Sequence, residues 1–332
     1  MKNIHSHIRE LILKVTHAEH VSEHEVIQHL WSGYGEIVRY RLTGGTTDSV
    51  IVKHVKLPGQ SSQRRTSHTD ISHQRKIRSY QIETTWYSNW SKRCDDACRV
   101  PACLLCETVG DQVVILLEDL DAAGFSARHS VVNTRQIHAC LNWLANFHAT
   151  FMTEKPKGLW PIGTYWHLAT RPDELEALND LPLKNAAAAI DHKLSATPYK
   201  TIVHGDAKPA NFCFAPDSSR VAAVDFQYVG GGCGIKDVAY LIDSCLNGEE
   251  CQHQEQALLG VYFQALKQAL KSKQKPVDPE AVEQNWRELY PVAWTDFHRF
   301  LKGWSPAHWD YNCYSERLAR QVVAELSNTS KS

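Results

Sequence analysis

The spacing of hydrophobic side chains changes along this chain of 332 residues, and that change constrains the fold more than any other feature. Up to about residue 118 the apolar runs are short and are separated by turn residues, which is typical of strands. Beyond residue 124 apolar side chains recur every three to four residues over long stretches, which predicts amphipathic helices. The sequence therefore predicts an α+β protein, with a small β-rich part followed by a large helical part.

Two segments in the first part have the pattern of a hairpin. Glu36–Leu42 and Ser49–Val55 are rich in β-branched and aromatic residues, and the turn between them contains Gly44 and Gly45. Two such strands joined by a glycine-containing turn pair in antiparallel fashion. A later run, Gln112–Leu117, is almost entirely apolar and predicts a buried strand.

Helical spacing first appears between these strands, over Ile71–Trp90. It follows a polar segment, Pro58–Thr69, which we expect to be a mobile loop. We divide the chain into a small lobe, residues 1–117, and a large lobe, residues 118–332. The stretches of helical spacing in the large lobe are Thr134–Met152, Ala257–Leu270, Val282–Tyr290 and Ala293–Trp304.

The balance of charges argues against several classes of partner. The chain has 36 basic and 37 acidic residues, so we expect no basic surface for nucleic acid or for an anionic membrane. No uncharged apolar run approaches the roughly 20 residues that span a bilayer. Charged residues and histidines occur throughout the first 30 residues, so we expect no secretion signal and a cytoplasmic location.

Four cysteines lie close together at Cys94, Cys98, Cys103 and Cys106. Thiolates at short spacing can form a zinc site. The alternative is that these cysteines are small buried hydrophobic residues in a reducing compartment. Cys103 and Cys106 lie on a predicted strand, where an odd separation sends two side chains to opposite faces. That geometry favours the second interpretation.

The strongest chemical pattern lies in Val203–Phe214 and in the apolar run Val221–Gln227. These segments contain a carboxylate at Asp206, an amide at Asn211 and a second carboxylate at Asp225. Phosphoryl transfer needs a carboxylate that orients an attacking hydroxyl and accepts its proton, together with oxygen ligands for Mg²⁺. Asp and Asn also favour turns and caps, but the order and spacing of these three favour the chemical interpretation.

This pattern resembles the catalytic loop and the metal-binding loop of the protein-kinase-like superfamily. Gly205 and Gln227, where protein kinases carry Arg and Gly, point to its small-molecule branch of aminoglycoside phosphotransferases, choline kinases and ecdysteroid-kinase-like proteins. The sequence looks most similar to the last group, from about Glu36 to Tyr314, which implies a bilobal protein-kinase-like fold. Further fragments that carry the resemblance are Tyr80–Glu83, Trp86–Tyr87, Leu116–Leu120 and Phe297–Trp304.

The resemblance implies roles for the polar residues of both lobes. Asp206 would be the catalytic base, and Asn211 and Asp225 would hold Mg²⁺. Lys53 would hold the α- and β-phosphates of ATP, and Glu83 would pair with Lys53 and fix its ammonium group.

Three more residues would support the catalytic loop. Lys208 would approach the transferring phosphate and stabilise the charge that develops on its oxygens. His204 and Asp237 would orient the loop.

Two backbone segments would contact the nucleotide according to the same resemblance. Gly44 and Gly45 would let the hairpin approach the phosphates, as glycine readily does. The hinge that meets adenine would run from Glu118 to Leu120.

Three functions remain open at this point. The first is a kinase that uses ATP and Mg²⁺ to phosphorylate a hydroxyl group of a small molecule. The second is a protein Ser/Thr kinase, because such enzymes also place a lysine at the position of Lys208. Gly205 and the absence of an Ala-Pro-Glu motif after Asp225 argue against it. The third is a pseudokinase that binds nucleotide without turnover. The sequence does not predict an oligomeric state.

The acceptor is less constrained than the reaction. The family resemblance favours an apolar hydroxyl compound, whereas acidic residues at Asp173, Glu174, Glu176 and Asp180 have the spacing of a solvated helix face. Aromatic residues near the carboxy terminus could contact an acceptor or pack as core, and His308 could line the acceptor cleft. These aromatic residues are Trp286, Tyr290, Trp294, Phe297, Phe300, Trp304, Trp309, Tyr311 and Tyr314.

Overall fold

The computed structural model describes residues 4–30, 33–56, 67–305 and 313–329. A sheet-containing amino-terminal lobe is followed by a helical carboxy-terminal lobe, as the hydrophobic spacing predicts. The strands are β1 (His20–His29), β2 (Gly35–Thr43), β3 (Ser49–Lys56), β4 (Cys103–Val109), β5 (Gln112–Glu118), β6 (Thr201–Val203), β7 (Phe212–Phe214), β8 (Val221–Ala223) and β9 (Gly230–Gly232). The helices are α1 (Ile4–Thr16), α2 (Ser67–Asn89), α3 (Thr134–Thr150), α4 (Pro172–Glu176), α5 (Leu181–Ser195), α6 (Ile235–Cys245), α7 (Gly248–Ser272), α8 (Pro279–Trp304) and α9 (Cys313–Thr329).

The amino-terminal sheet is antiparallel, with strand order β1-β2-β3-β5-β4, and β2 and β3 form the predicted hairpin. Both faces of this sheet are covered. On β5, Val114 and Leu116 pack into a core with Ile8 of α1. Ile115 instead belongs to the core that contains Tyr80 of α2. Successive side chains of a strand point to opposite faces, so the continuous apolar run of β5 reflects burial on both sides.

Three helical predictions are confirmed with shifted ends. Ile71–Trp90, Thr134–Met152 and Ala257–Leu270 correspond to α2, α3 and α7. The last residues of the predicted loop Pro58–Thr69 belong to α2, and residues 58–66 of that loop lie outside the described residues. Within the described ranges, no helix combines the length and apolar character needed to cross a membrane.

The helical spacing predicted near the carboxy terminus is also confirmed. Val282–Tyr290 and Ala293–Trp304 both belong to one helix, α8, which continues through Pro291. A proline inside a helix removes one backbone hydrogen bond and crowds the preceding turn. Trp286 and Trp294 are buried on either side of the proline, so tertiary packing holds the helix continuous.

The cysteine cluster corrects a prediction. Cys103 and Cys106 place their Sγ atoms 3.5 Å apart, so the two side chains do not point to opposite faces. The pairing of β4 with β5 shifts register between Cys103 and Leu105, and such a bulge changes the alternation of side chains. In the part of the chain that the structure describes, no group of three or more His, Cys, Asp or Glu is placed to hold a metal ion.

Candidate active site

Asp237 of α6 fixes the start of the loop that follows β6. One of its carboxylate oxygens accepts a hydrogen bond from the backbone N–H of Gly205 (2.9 Å), and the other accepts one from His204 (2.6 Å). The carboxylate is fully buried. Buried backbone N–H groups need a partner, so Asp237 supplies the acceptors that hold this loop in place.

His204 ties the same loop to the strand that precedes Asp225. Burial lowers the pKa of the His204 ring, which favours the neutral form. A neutral ring fits both of its contacts, because Nε2 donates to the carbonyl oxygen of Val224 (3.1 Å) and Nδ1 accepts from the N–H of Asp206 (3.2 Å). The predicted catalytic loop and the predicted metal-binding loop are therefore joined through one side chain.

The position after His204 accommodates only glycine in this backbone. Gly205 has a φ of 83°, in the left-handed region that favours glycine. A Cβ atom there would lie 2.2 Å from the carbonyl oxygen of Tyr228. An arginine, which protein kinases carry at this position, would therefore clash with the segment that follows Asp225.

Asp206 lies at the bottom of the cleft and is held by three neighbours. One carboxylate oxygen accepts from the hydroxyl of Tyr240 (3.0 Å), and the other accepts from Nδ2 of Asn211 (2.9 Å). Nζ of Lys208 lies 3.4 Å from that second oxygen. Burial raises the pKa of Asp206 to about 6, although Lys208 opposes the rise. A carboxylate with this pKa is a better proton acceptor than an ordinary aspartate and is still ionised at neutral pH.

Asn211 and Asp225, the predicted magnesium ligands, are held side by side. The backbone carbonyl oxygen of Asn211 accepts a hydrogen bond from the backbone N–H of Val224, the residue before Asp225 (3.0 Å). Because Nδ2 of Asn211 donates to Asp206, the side-chain oxygen of Asn211 remains the group that a cation would take. Amide and carboxylate oxygens are the hard ligands that Mg²⁺ prefers.

Asp225 has the features of a residue held for binding rather than for folding. Its φ is 66°, a region that few non-glycine residues adopt. Oδ1 is buried without a hydrogen-bond partner, while 38% of the side chain is exposed. Burial favours the neutral acid, but Lys53 and Lys76 outweigh it and lower the pKa of Asp225. An ionised carboxylate that remains partly exposed fits a metal ligand.

Lys53 of β3 and Glu83 of α2 form the predicted ion pair across the amino-terminal lobe. Nζ of Lys53 lies 2.9 and 2.7 Å from the two carboxylate oxygens of Glu83, and both side chains are more than nine-tenths buried. Nζ also lies 3.6 Å from Oδ1 of Asp225. Although burial opposes its charge, Glu83 and Asp225 raise the pKa of Lys53. The ammonium group thus links the sheet, α2 and the loop that carries Asp225.

The structure does not bring Gly44 and Gly45 to this site. Lys53 pairs with Ile37 on β2, and Gly44 lies seven residues further along, about 24 Å at the rise of a strand. Gly45 packs against the α1–β1 connection, where an added Cβ would lie 2.9 Å from Ala18. The glycine nearest to Lys53 in the register is Gly35, which has a φ of 141°.

The predicted hinge lies at the end of β5. The carboxylate of Glu118 pairs with Arg99 (2.6 Å) and accepts from the N–H of Ala102 (2.9 Å). Leu120 is buried, and its carbonyl oxygen accepts from the N–H of Phe125 (2.8 Å). These contacts fix the connection between the lobes, and its contact with adenine stays a prediction.

The carboxy-terminal aromatic residues divide into core and surface. Trp286, Tyr290, Trp294, Phe297, Phe300 and Tyr314 are buried, in agreement with the helical spacing. Trp304 is 64% exposed and stacks on Phe300 with the ring centroids 6.3 Å apart. His308, Trp309 and Tyr311 lie outside the described residues.

The acidic residues near α4 and α5 do not form an open acidic face. Asp180 caps α5, is 7% exposed and pairs with Lys302 (2.6 Å) and with Arg320. Glu174 pairs with Arg171 (3.1 Å). These ion pairs brace the carboxy-terminal lobe.

Two contacts with the candidate active site lie outside the sequence predictions. Tyr240, whose hydroxyl binds Asp206, lies three residues after Asp237 on α6, and residues at this spacing share a helix face. That spacing is a pattern from which Tyr240 could have been found. Lys76 of α2 donates to Oε1 of Gln227 (3.0 Å), just beyond Asp225, and no motif in the sequence marks it.

The architecture is that of the two-lobed protein-kinase-like fold, with its small-molecule phosphotransferase branch as the nearest class. More particularly, the chain belongs to the ecdysteroid kinase-like family, whose family profile matches residues 36–157 and 165–275. This match confirms the family resemblance that the sequence motifs indicate.

Solved structures that resemble the chain have low sequence identity to it. A microcompartment-associated aminopropanol kinase is 15% identical with a TM-score of 0.48, over 97% of this chain and 95% of that chain. An aminoglycoside-3′-phosphotransferase of type VIII is 15% identical with a TM-score of 0.45, over 87% and 100%. The ethanolamine kinase of Plasmodium vivax is 12% identical with a TM-score of 0.44, over 91% and 82%. No curated protein matches the sequence in a direct comparison.

Proposed function

We propose that this protein is an ATP-dependent kinase that transfers the γ-phosphate to a hydroxyl group of a small molecule. The observation that carries the proposal is the convergence of four elements on one site: β3, α2, the loop with Asp225 and the loop with Asp206 and Asn211. Lys53 is paired with Glu83 and lies 3.6 Å from Asp225, and Asp206 is bound to Asn211 across the same site. We also propose that residues 1–117 and 118–332 form the two lobes on either side of the nucleotide.

The acceptor hydroxyl loses its proton to Asp206 in the proposed reaction. Its oxygen forms a bond to the γ-phosphorus, and the bond from that phosphorus to the oxygen bridging to the β-phosphate breaks. The products are ADP, a phosphate monoester and a proton. The Tyr240 hydroxyl and the Asn211 amide occupy defined positions on the Asp206 carboxylate, so they hold it in one orientation. Such positioning is the main contribution of a protein to phosphoryl transfer.

Cationic groups surround the proposed path of the phosphoryl group. Lys53 would hold the α- and β-phosphates, and Lys208, 3.4 Å from Asp206, would meet the charge on the transferring phosphate. Mg²⁺, held by Asn211 and Asp225, would neutralise the phosphate oxygens when bound. The lowered pKa and partial exposure of Asp225 support a cation at this place.

The test is release of ADP from ATP and Mg²⁺ with a panel of hydroxylated small molecules, using wild type beside Asp206→Asn. We expect at least one acceptor to stimulate turnover in wild type and the variant to lose it by about a thousandfold or more. Asp217→Asn, the same change at an exposed residue of the β7–β8 turn, is the matched control and should behave as wild type. Equal turnover by wild type and Asp206→Asn would contradict the proposal.

A further inference from the structure

Two cations on α2 have no carboxylate partner although both are half-buried. Nη1 of Arg75 donates to the carbonyl oxygen of Thr170 (3.0 Å), and Nη2 donates to Oγ of Ser72 (3.2 Å). Nζ of Lys76 donates to the amide oxygen of Gln227 (3.0 Å). All of these acceptors are neutral, and no carboxylate among the described residues lies within 4.0 Å of either cation. Unpaired cations in a partly buried place are costly.

A third cation increases the imbalance. The guanidinium of Arg171 lies over the rings of Tyr165 (5.8 Å) and Phe300 (5.5 Å), and the side chain is 14% exposed. Glu174 pairs with Arg171 and also acts electrostatically on Arg75. Burial and then the charge of Arg171 lower the pKa of Arg75. Three cations thus lie together, and the carboxylates that act on Lys76 are those of the candidate active site, Asp225 and Glu83.

This group of cations is near the proposed chemistry and on the side away from the hinge. Tyr228 connects the two, because its phenol is within electrostatic reach of Arg75 and Arg171 and also of Asp206 and Asp225. Its ring packs edge-on against Tyr165, at 6.0 Å between centroids. Arg75 contacts Thr170 and Arg171 lies over Tyr165, so these two cations are attached to the segment around Tyr165. Lys76 instead contacts Gln227, beside Asp225. The attachment of Arg75 and Arg171 argues for an acceptor subsite, and Lys76 lies where that subsite meets the site of phosphoryl transfer.

We propose that Arg75, Lys76 and Arg171 form an anion-binding subsite next to Asp206, and that it binds a phosphate, sulfate or carboxylate group carried by the acceptor. This inference rests on the proposed function. An anion would supply the direct ion-pair partner that Arg75 and Lys76 do not have within 4.0 Å among the described residues, and guanidinium groups bind such anions in bidentate fashion. The rings of Tyr165 and Phe300 beside Arg171 would contact an apolar part of the same molecule.

Inorganic sulfate is the probe for this subsite, titrated into the full chain at constant ionic strength and followed by calorimetry. The titration is done with and without Mg²⁺ and a non-hydrolysable ATP analogue. We expect saturable sulfate binding to wild type in both conditions. The double variant Arg75→Gln, Lys76→Gln should bind sulfate at least about tenfold more weakly, because two charge-assisted contacts are lost. Arg78→Gln is the control, since Arg78 is exposed on the same helix and contacts only Gln81.

Three results would overturn the inference. The first is that wild type shows no saturable sulfate binding. The second is that the double variant binds sulfate as tightly as wild type. The third is that sulfate binding is lost when Mg²⁺ and the ATP analogue are present. The last result would mean that the cations contact the nucleotide phosphates instead of an acceptor. If the protein does not bind the ATP analogue, the proposed kinase function is contradicted. The anion-binding subsite is tested independently of that result, because sulfate is also titrated without nucleotide.

Discussion

Two carboxylates within one lobe, Asp237 and Asp225, differ in how completely their oxygens are satisfied. Asp237 is fully buried, and both of its oxygens accept hydrogen bonds from backbone N–H groups of the catalytic loop. Asp225 has one oxygen without a hydrogen bond, 3.6 Å from Nζ of Lys53, has left-handed backbone and remains partly exposed. Native proteins satisfy nearly all buried polar groups. In the proposed function, the difference separates a carboxylate that holds the fold from one that holds a ligand.

A second pair of carboxylates, Asp296 and Asp206, differs in the direction of its pKa shift. Asp296 of α8 is buried against Lys236 (3.1 Å), Arg299 (2.9 Å) and Nε1 of Trp166 (3.1 Å). Burial opposes its charge, but Lys236 and Arg299 hold its pKa well below the usual value. Asp206 is also buried, yet its pKa is raised. The interior thus keeps Asp296 as a stable anion and leaves Asp206 able to accept a proton near neutral pH.

Asp237→Asn is the change with the largest expected effect on folding. The asparagine amide would turn an N–H towards the N–H of His204 or Gly205, so one donor would lose its acceptor. We expect the free energy of unfolding to fall by about 3 kcal/mol, as for loss of buried charge-assisted hydrogen bonds. Urea denaturation of wild type and variant measures this. An unchanged midpoint would remove the distinction between Asp237 and Asp225.

Lys53→Met tests the ion pair between Lys53 and Glu83 within the amino-terminal lobe. Methionine fills a similar volume, and Glu83, whose pKa burial already raises, can take up a proton once the ammonium is gone. We therefore expect folding to be largely kept, while ATP turnover falls about a hundredfold because a cation at the phosphates is lost. Lys92→Met, at an exposed lysine, is the control. Turnover equal to that of the control would show that Lys53 serves only the fold.

The pH dependence of turnover has the smallest expected effect and tests Asp206. The base acts as a carboxylate, so kcat/KM should fall about tenfold per pH unit below an inflection near 6. Tyr240→Phe removes a hydrogen bond that favours the ionised form, so the inflection should move to higher pH. The pH profiles of both proteins measure this.

The sign of the accompanying stability change follows from the same raised pKa. The folded state binds the Asp206 proton more tightly than the unfolded chain, so this contribution to stability is present below about pH 4 and is lost as the pH rises through 6. An inflection near 4 in the rate profile, unmoved by Tyr240→Phe, would contradict the assignment of Asp206 as the base.

The sequence was sufficient for those features that depend on local spacing. The lobes, the β2–β3 hairpin and α2 follow from hydrophobic periodicity, and the family resemblance selected Lys53, Glu83 and Asp225, which the fold brings together. Their chemical roles remain proposals. These residues could be predicted because the motifs that carry the resemblance occur in the expected order along the chain.

Features that depend on tertiary contact were not accessible. The helix α1 was not predicted, although Ile8, Leu11 and Ile12 have helical spacing, and its role in covering a sheet face depends on distant strands. Pro291 interrupts a helical sequence pattern, but tertiary packing keeps α8 continuous through it. A bulge in β4 places Cys103 and Cys106 on the same side, whereas regular alternation would place them on opposite faces. The Gly44–Gly45 pair has an ordinary turn composition, and only the register of β2 and β3 shows that it lies far from Lys53.

The most direct test of the comparison is ATP binding by Asp225→Asn, with Mg²⁺ and with a chelator, measured beside the melting temperature. We predict that wild type binds ATP more tightly with Mg²⁺, and that the variant binds Mg²⁺-ATP at least about tenfold more weakly without melting earlier. Unchanged affinity and Mg²⁺ dependence in a stably folded variant would contradict the account, because Asp225 would then not be the carboxylate held for the nucleotide.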